Sequence, residues 1–308
     1  MEIGGESRRG VSVCGQKDQD GAICPWEVVM SWLASALEET AEYPHPESLD
    51  RFRKSIDPAW IEEALAATGT ATLRKRRLPA EQVIWLVLGM ALLRDLPIAN
   101  VVSKLDLALP KRNGDTDVAP SSVVQARSRI GEAPVRWLFE RCSRQWAEDS
   151  ARVNAWRGLS VFALDGTTLR VADSDENREH FGLASGGHRG ESGYPLVRLV
   201  ALMAVRSHLL TAAEFGPYAL SEHEYAERLW PSIPSDSLTI VDKNYLSTQV
   251  LLGIERGGDN RHWLIRAKKD SKWTVIESFG RYDKLVERTV PRAALAKDPS
   301  LPKKYIAR

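Results

Sequence analysis

Residues 159–165, Leu-Ser-Val-Phe-Ala-Leu-Asp, and residues 238–242, Leu-Thr-Ile-Val-Asp, are two apolar, strand-forming runs, each closed by an aspartate. Asp165 leads into Gly166-Thr167-Thr168, and Asp242 into Lys243-Asn244-Tyr245. An apolar run that ends in a carboxylate puts an acid at the exposed tip of a buried strand. Done twice in one sheet, it brings two carboxylates together as oxygen ligands for hard divalent cations. That arrangement suits phosphoryl transfer on a nucleic acid. An aspartate after a strand also serves as a turn former or a helix cap, so the pattern alone leaves both readings open for each residue.

The rest of the chain bounds what such a pair could serve. Its 308 residues are enough for about two domains, and 43% hydrophobic content supports ordinary globular cores. The 42 basic and 41 acidic residues nearly cancel, so the whole molecule is no electrostatic magnet for nucleic acid. The distribution says more than the sum. Residues 1–70 carry 6 Lys/Arg against 13 Asp/Glu, residues 71–158 carry 15 against 9, and residues 159–308 carry 21 against 19. The basic middle segment is either a phosphate-binding surface or a normally solvated helical one. Cys14, Cys24 and Cys142 are too few and too scattered for a disulfide framework or a zinc site and read as reduced thiols. The apolar run Val83–Leu93 is short of the roughly 20 residues a bilayer requires and reads as a buried helix. With no secretory signal after Arg8 and Arg9, the expected location is cytoplasmic, with no membrane association.

Residues 1–24, rich in Gly, Ser and Asp, read as a poorly ordered tail. From 25 to 157 the signals are helical. Asp57-Pro58 caps and opens one helix, which Gly69 can close, and Pro79, Pro97, Pro120 and Pro134 each begin another. After Trp156 the texture changes. Val161–Asp173 reads as strand, tight turn at Gly166, strand. A second strand pair surrounds Arg206-Ser207-His208, then come a helix at Glu222–Trp230, the strand ending in Asp242, a helix at Ser247–Arg256 and a last strand at His262–Lys268. The class is α+β: a helical N-terminal domain and, over 158–275, a mixed sheet of about five strands with flanking helices. Asp165 on its first strand and Asp242 on its fourth match a ribonuclease-H-like plan. Residues 276–308 read as the start of a β-rich insertion.

Several blocks carry a family resemblance. LDGTTLRVADSDENREHFG (164–182) resembles the first catalytic block of bacterial insertion-sequence transposases of the insertion element four family. YPLVRLVALMAV (194–205), followed by FGPY and the Ser221-Glu222 pair, is similar to the text that comes next in that family. TIVDKNYLS (239–247) resembles its second block and HWLIRAKK (262–269) the strand after it, while SSVVQARSRIGEAPVRWLFE (121–140) is similar to its amino-terminal domain. The blocks occur in order over roughly residues 55–275. The resemblance implies cut-and-paste DNA transposition by a DDE triad with Mg2+ or Mn2+, acting on transposon ends and target DNA, with a homodimer in a synaptic complex as a possible partner arrangement. It makes Asp165 and Asp242 the first two catalytic acids and metal ligands. The third should be a glutamate within Tyr-x2-Arg-x3-Glu-x6-Lys, and that motif is absent: Tyr282 is followed by Asp283-Lys284-Leu285, and neither Glu287 nor Glu277 has the required context. The expectation is a C-terminally truncated form of uncertain enzymatic status. The alternative is a non-catalytic DNA-binding remnant or an inhibitor of intact transposase.

Other residues also invite a functional reading. Arg74-Lys75-Arg76-Arg77 is a compact basic run, suited to a DNA backbone or to a solvated loop. Gln125 and Arg129 share a face with Ser122 and could read a groove, although the 13 residues between the two helices involved exceed a usual helix-turn-helix connection. Asp173–Ala184 is expected to be a solvated loop, because Arg178 and Ala184 stand where a calcium loop needs glycine and glutamate. Glu222 fits either a support role beside a metal or a first-turn glutamate favoured by the helix dipole, with the second preferred.

Overall fold

The computed structural model describes residues 54–71, 78–105, 119–185, 191–268 and 271–308. The chain divides into two compact units, Met1–Pro134 and Val135–Arg308.

In the first unit the described helices are α1 (Pro58–Ala67), α2 (Ala80–Leu92), α3 (Ile98–Lys104) and α4 (Pro120–Ile130). Their starts follow from proline and capping chemistry. The Asp57 carboxylate accepts the Ala59 N–H at 2.9 Å with Pro58 at the first helical position. Pro79 and Pro97 directly precede α2 and α3. Helix α4 stops at Gly131, whose φ of +68° only glycine adopts without strain. Val83, Ile84 and Leu86 of α2 are buried, as are Ile61 and Leu65 of α1, Val101 of α3, and Val123 and Ala126 of α4. Helix α2 packs against α1, α3 and α4. At Gly89 a Cβ would sit 2.8 Å from a Leu105 methyl, so the glycine buys the close approach of that side chain.

The second unit begins with α5 (Ala133–Val153), most of which belongs to it. Next come β1 (Ser160–Arg170), α6 (Asp175–Phe181), β2 (Leu183–Ser185), β3 (Glu191–Ala204), β4 (Leu210–Pro217), α7 (Glu222–Leu229), β5 (Ser237–Val241), α8 (Thr248–Arg256) and β6 (Arg261–Ile265). The six strands form one mixed sheet. β1 is antiparallel to β3, and β4 and β2 also pair with β3; β5 runs parallel to β1 and β6 parallel to β5. Phe162, Leu164, Val200 and Leu202 of the sheet join Tyr225 and Leu229 of α7 and Leu251 and Ile254 of α8 in one buried cluster. Ala147 and Ala151 of α5 belong to the same cluster. Each fully buried large apolar side chain there contributes roughly 1.5–3 kcal/mol.

A three-stranded antiparallel sheet ends the chain: β7 (Thr274–Ser278), β8 (Lys284–Thr289) and β9 (Lys304–Ala307), with α9 (Arg292–Lys297) between the last two. Val290, Leu301 and Tyr305 extend the main core into it.

Two expectations are overturned. Gly166 is no turn. β1 runs through it without a break, because β3 pairs with β1 residue by residue from Phe162↔Ala204 to Arg170↔Leu196. Asp165 therefore lies within a strand and not at its tip. The segment after Ala172 is not wholly loop either. The Ser174 hydroxyl accepts the Asn177 N–H and caps a short helix, α6, with Asp175 and Glu176 in its first turn and Arg178 and His180 in its last.

Candidate active site

The site is built from the register of β1 and β5. Their parallel pairing runs Ser160↔Ser237, Val161↔Leu238, Phe162↔Thr239, Ala163↔Ile240 and Leu164↔Val241, and there it ends. Asp165 and Asp242 are the next residue on each strand. Beyond them β1 continues against β3 alone, while the chain leaves β5 in a short 3-10 turn, Lys243–Tyr245. Buried alternation explains why the register holds: Ser160, Phe162 and Leu164 face the core from β1, and Ser237, Thr239 and Val241 from β5. A one-residue slip would expose all six.

Both carboxylates are exposed. Asp165 accepts the Gly166 N–H at 2.8 Å, and Asp242 accepts the Asn244 N–H at 2.9 Å, which starts the 3-10 turn. The Asn244 N–H holds the Asp242 carboxyl below the usual carboxylate range against the opposing effect of burial. The Lys243 N–H and the charges of Lys243 and Lys268 act in the same sense. Asp242 is thus kept ionised near neutral pH, the form that binds cations.

A third acid approaches from α7. A Cβ built on Gly166 would meet Glu222 Cδ and Cγ at 3.0 Å and Oε1 at 3.3 Å. The Glu222 carboxylate therefore lies against the backbone immediately after Asp165. Below this group Tyr245 is 1% exposed, and its hydroxyl has no hydrogen-bond partner. Burial raises the Tyr245 pKa, and the charges of Glu222, Asp165 and Asp242 raise it further, in that order, against Arg198. The phenol is held protonated, as a donor, within electrostatic reach of all three carboxylates. The His223 ring lies 5.2 Å from the Tyr245 ring.

The donors at this place are oxygens, the ligand type of Mg2+, Mn2+ and Ca2+. Two exposed carboxylates that follow the last paired residues of β1 and β5 suit a hard cation. Asp165 and Asp242 are the residues that could hold it. Among the described residues no three His, Cys, Asp or Glu side chains stand close enough to form a ready-made metal cage.

The other candidates fall elsewhere. Arg74, Lys75, Arg76 and Arg77 lie outside the described residues. Gln125 and Arg129 are exposed on α4, and the Arg129 guanidinium donates to the Leu78 carbonyl at 3.0 Å, which ties α4 to the start of α2. Glu287, on β8, is paired with Lys304 at 2.7 Å, and Glu277 is exposed on β7. The role of Tyr245 was missed in the sequence reading. Its signal was local, a large aromatic three residues after the acid of the second block.

Comparison with known proteins adds an independent line. The family described as insertion element 4 transposase N-terminal matches residues 46–140, and the transposase DDE domain family matches residues 156–298. The transposase InsG of insertion sequence element IS4 from Escherichia coli K12 is 39% identical over 254 residues, 82% of this chain. The chain spans 56% of the length of InsG. The putative transposase InsZ of the same strain is 38% identical over 247 residues, covering 80% of this chain and 81% of InsZ. No solved structure matches. The order of helical region, sheet and paired aspartates, together with these matches, identifies the chain as a member of the insertion element four family of DDE transposases.

Proposed function

We propose that the chain acts in cut-and-paste DNA transposition in the cytoplasm. In this reading Asp165 and Asp242 bind Mg2+ or Mn2+, and the described helices of the first unit, with the basic residues 74–77, Gln125 and Arg129, contact transposon ends. The observation that carries it is the Leu164↔Val241 pairing, after which the two aspartates emerge side by side from adjacent parallel strands. The strand order β4–β3–β1–β5–β6, three antiparallel and then two parallel, supports a ribonuclease-H-like catalytic domain. The three-stranded sheet at residues 274–307 fits the opening of a β-rich insertion.

A divalent ion bound here would activate a water or a 3′ hydroxyl and stabilise the leaving oxygen of a phosphodiester. The chain's own contribution is positional. β1 and β5 fix the two carboxylates, the Asn244 N–H keeps Asp242 ionised, and Lys243 and Lys268 supply positive charge beside an anionic substrate. Two copies on two ends would make the synaptic assembly.

The test is nicking of a supercoiled plasmid carrying the element's ends, with end binding followed by gel shift. Asp165→Asn and Asp242→Asn are each expected to lower nicking at least about 100-fold, with end binding unchanged. Nicking by either variant at the wild-type rate removes that residue from the site.

A second reading, from the same family membership, assigns end binding without cutting. The chain would then occupy ends or pair with intact transposase without cutting. End binding with no nicking in Mg2+ or Mn2+ supports that reading over the first.

A further inference from the structure

We propose that Arg170 and Arg198 form a two-point grip for the DNA phosphate backbone, on the half of β1 and β3 that projects past Asp165. The proposal rests on the reading of the chain as a DNA-binding transposase and adds a contact surface apart from the two aspartates.

The ladder between β1 and β3 continues after Asp165 to Arg170↔Leu196, where β1 no longer has β5 on its other side. Thr167, Thr168, Leu169 and Arg170 are exposed there, so burial does not account for this half of the strand. Residues directly opposite one another share a face of a sheet, as do alternate residues along a strand. Thr168 is opposite Arg198, and Arg198 is in turn opposite Gly216 on β4. Arg170 and Arg198 therefore stand on one face, that of Gly166 and the Glu222 side chain of α7. Alternation turns Asp165, one residue before Gly166, to the opposite face.

The two guanidinium groups are fixed in the same way. Arg170 lies over the Tyr194 ring at 4.2 Å, and Arg198 over the Tyr218 ring at 4.4 Å. Each tyrosine is two residues past the one opposite its arginine, Leu196 in the first case and Gly216 in the second, a diagonal that aromatic rings reach. Stacking occupies the flat face of a guanidinium and leaves its rim of N–H donors for an oxyanion. Neither arginine makes a hydrogen bond or an ion pair with a described residue, and the Arg198 Nε–H is buried without a partner. Arg178 on α6 is the contrast: Asp173 takes its rim through two hydrogen bonds at 2.6 and 2.8 Å. Arg170 and Arg198 are themselves diagonal neighbours, roughly 7–8 Å apart along the backbone. Two cations at that spacing, both preset and both open at the rim, suit a ligand that carries its negative charge in series. A phosphodiester strand is such a ligand, and the guanidinium fork matches its oxygens.

The experiment measures binding of the full chain to a short duplex carrying the element's end, over a series of salt concentrations. Each phosphate contact contributes about 0.9 to the slope of log affinity against log salt. Arg170→Gln and Arg198→Gln are each expected to make that slope shallower by about 1, and the double variant by about 2. Binding near ~0.1 M salt should weaken about tenfold per arginine. Arg198→Lys keeps the charge and should keep most of the slope. A packing role predicts another pattern, which would overturn the grip: a lower melting temperature, an unchanged slope, and a Lys variant as impaired as the Gln variant. If the double variant binds with the wild-type slope while Asp165→Asn abolishes nicking, the grip is overturned and the transposase reading stands. If wild type binds neither this duplex nor an unrelated one, that reading fails and the grip with it.

Discussion

The two sheets of the second unit are held by opposite means. In the six-stranded sheet β5 alternates buried and half-buried residues between two parallel neighbours, and helices α7 and α8 share its core. In the three-stranded sheet β7 is exposed along its whole length. Val275, Ile276, Phe279 and Tyr282 all stand in solvent. Apart from Tyr305, which reaches the main core, its strands are tied by side chains at the surface: Lys304 to Glu287 at 2.7 Å, and Arg308 to Asp283 through two hydrogen bonds at 2.8 and 2.7 Å, with the Arg308 guanidinium 4.4 Å from the Phe279 ring. Exposed ion pairs are worth about 0–1 kcal/mol each, far less than a buried aromatic. A site that needs carboxylates held to a fraction of an ångström belongs on the first kind of sheet. The second kind is built to tolerate change.

Mutation should break this contrast most visibly at Phe162. It is fully buried, so Phe162→Ala is expected to cost about 3–5 kcal/mol in urea unfolding, whereas Val275→Ala on β7 should stay within about 0.5 kcal/mol. Equal losses at the two positions would mean that the small sheet has a core of its own. Next in size is Gly166→Ala. The new methyl would press on the half-buried Glu222 side chain, which has to give by a few tenths of an ångström, so a loss of up to about 1 kcal/mol is expected. Unchanged stability would show that the Glu222 side chain moves aside freely.

Acid should separate the sheets as well. The Arg308 hydrogen bonds hold the Asp283 carboxyl below its usual range, and the Arg308 charge reinforces this. A depressed carboxylate pKa contributes stability above the unfolded-state value and loses it as pH falls through the folded-state value. Amide-exchange protection in β7 to β9 should therefore drop as pH falls below the unperturbed Asp pKa of ~3.9, before protection in β1 and β5 does. Simultaneous loss in both sheets would refute the distinction. The smallest effect concerns Cys142 on α5, 7% exposed, whose thiol burial pushes up to about 11. At pH 8 the Cys142 peptide should resist iodoacetamide in the folded protein and react once unfolded. Rapid labelling in the native state would show that α5 lifts readily from the sheet it covers.

Legibility in the sequence followed the same division. Helices opened by proline and caps, such as Pro58–Ala67 and Pro120–Ile130, were readable because the signal is local. The Leu238–Asp242 strand was readable because burial wrote an apolar run into it. The second half of β1 was not, because Thr167–Arg170 are exposed and only the pairing with β3 makes them a strand. Helix α6 was hidden by its polar composition, with no buried residue to set a period. Contacts between distant segments were beyond reach: Glu222 on Gly166, and Arg129 on the Leu78 carbonyl. Asp165 and Asp242 were named from sequence alone. Their side-by-side emergence needed the register.

That register has a consequence for how the chain can change. Side chains alternate along a strand, so deleting or inserting a single residue within Ser237–Val241 would turn its interior side chains outward or swing Asp242 to the opposite side of the sheet. The hydrophobic spacing of β5 works as a ruler for the carboxylate at its end. Length in this five-residue segment is constrained twice, once by the interior it fills and once by the acid it delivers.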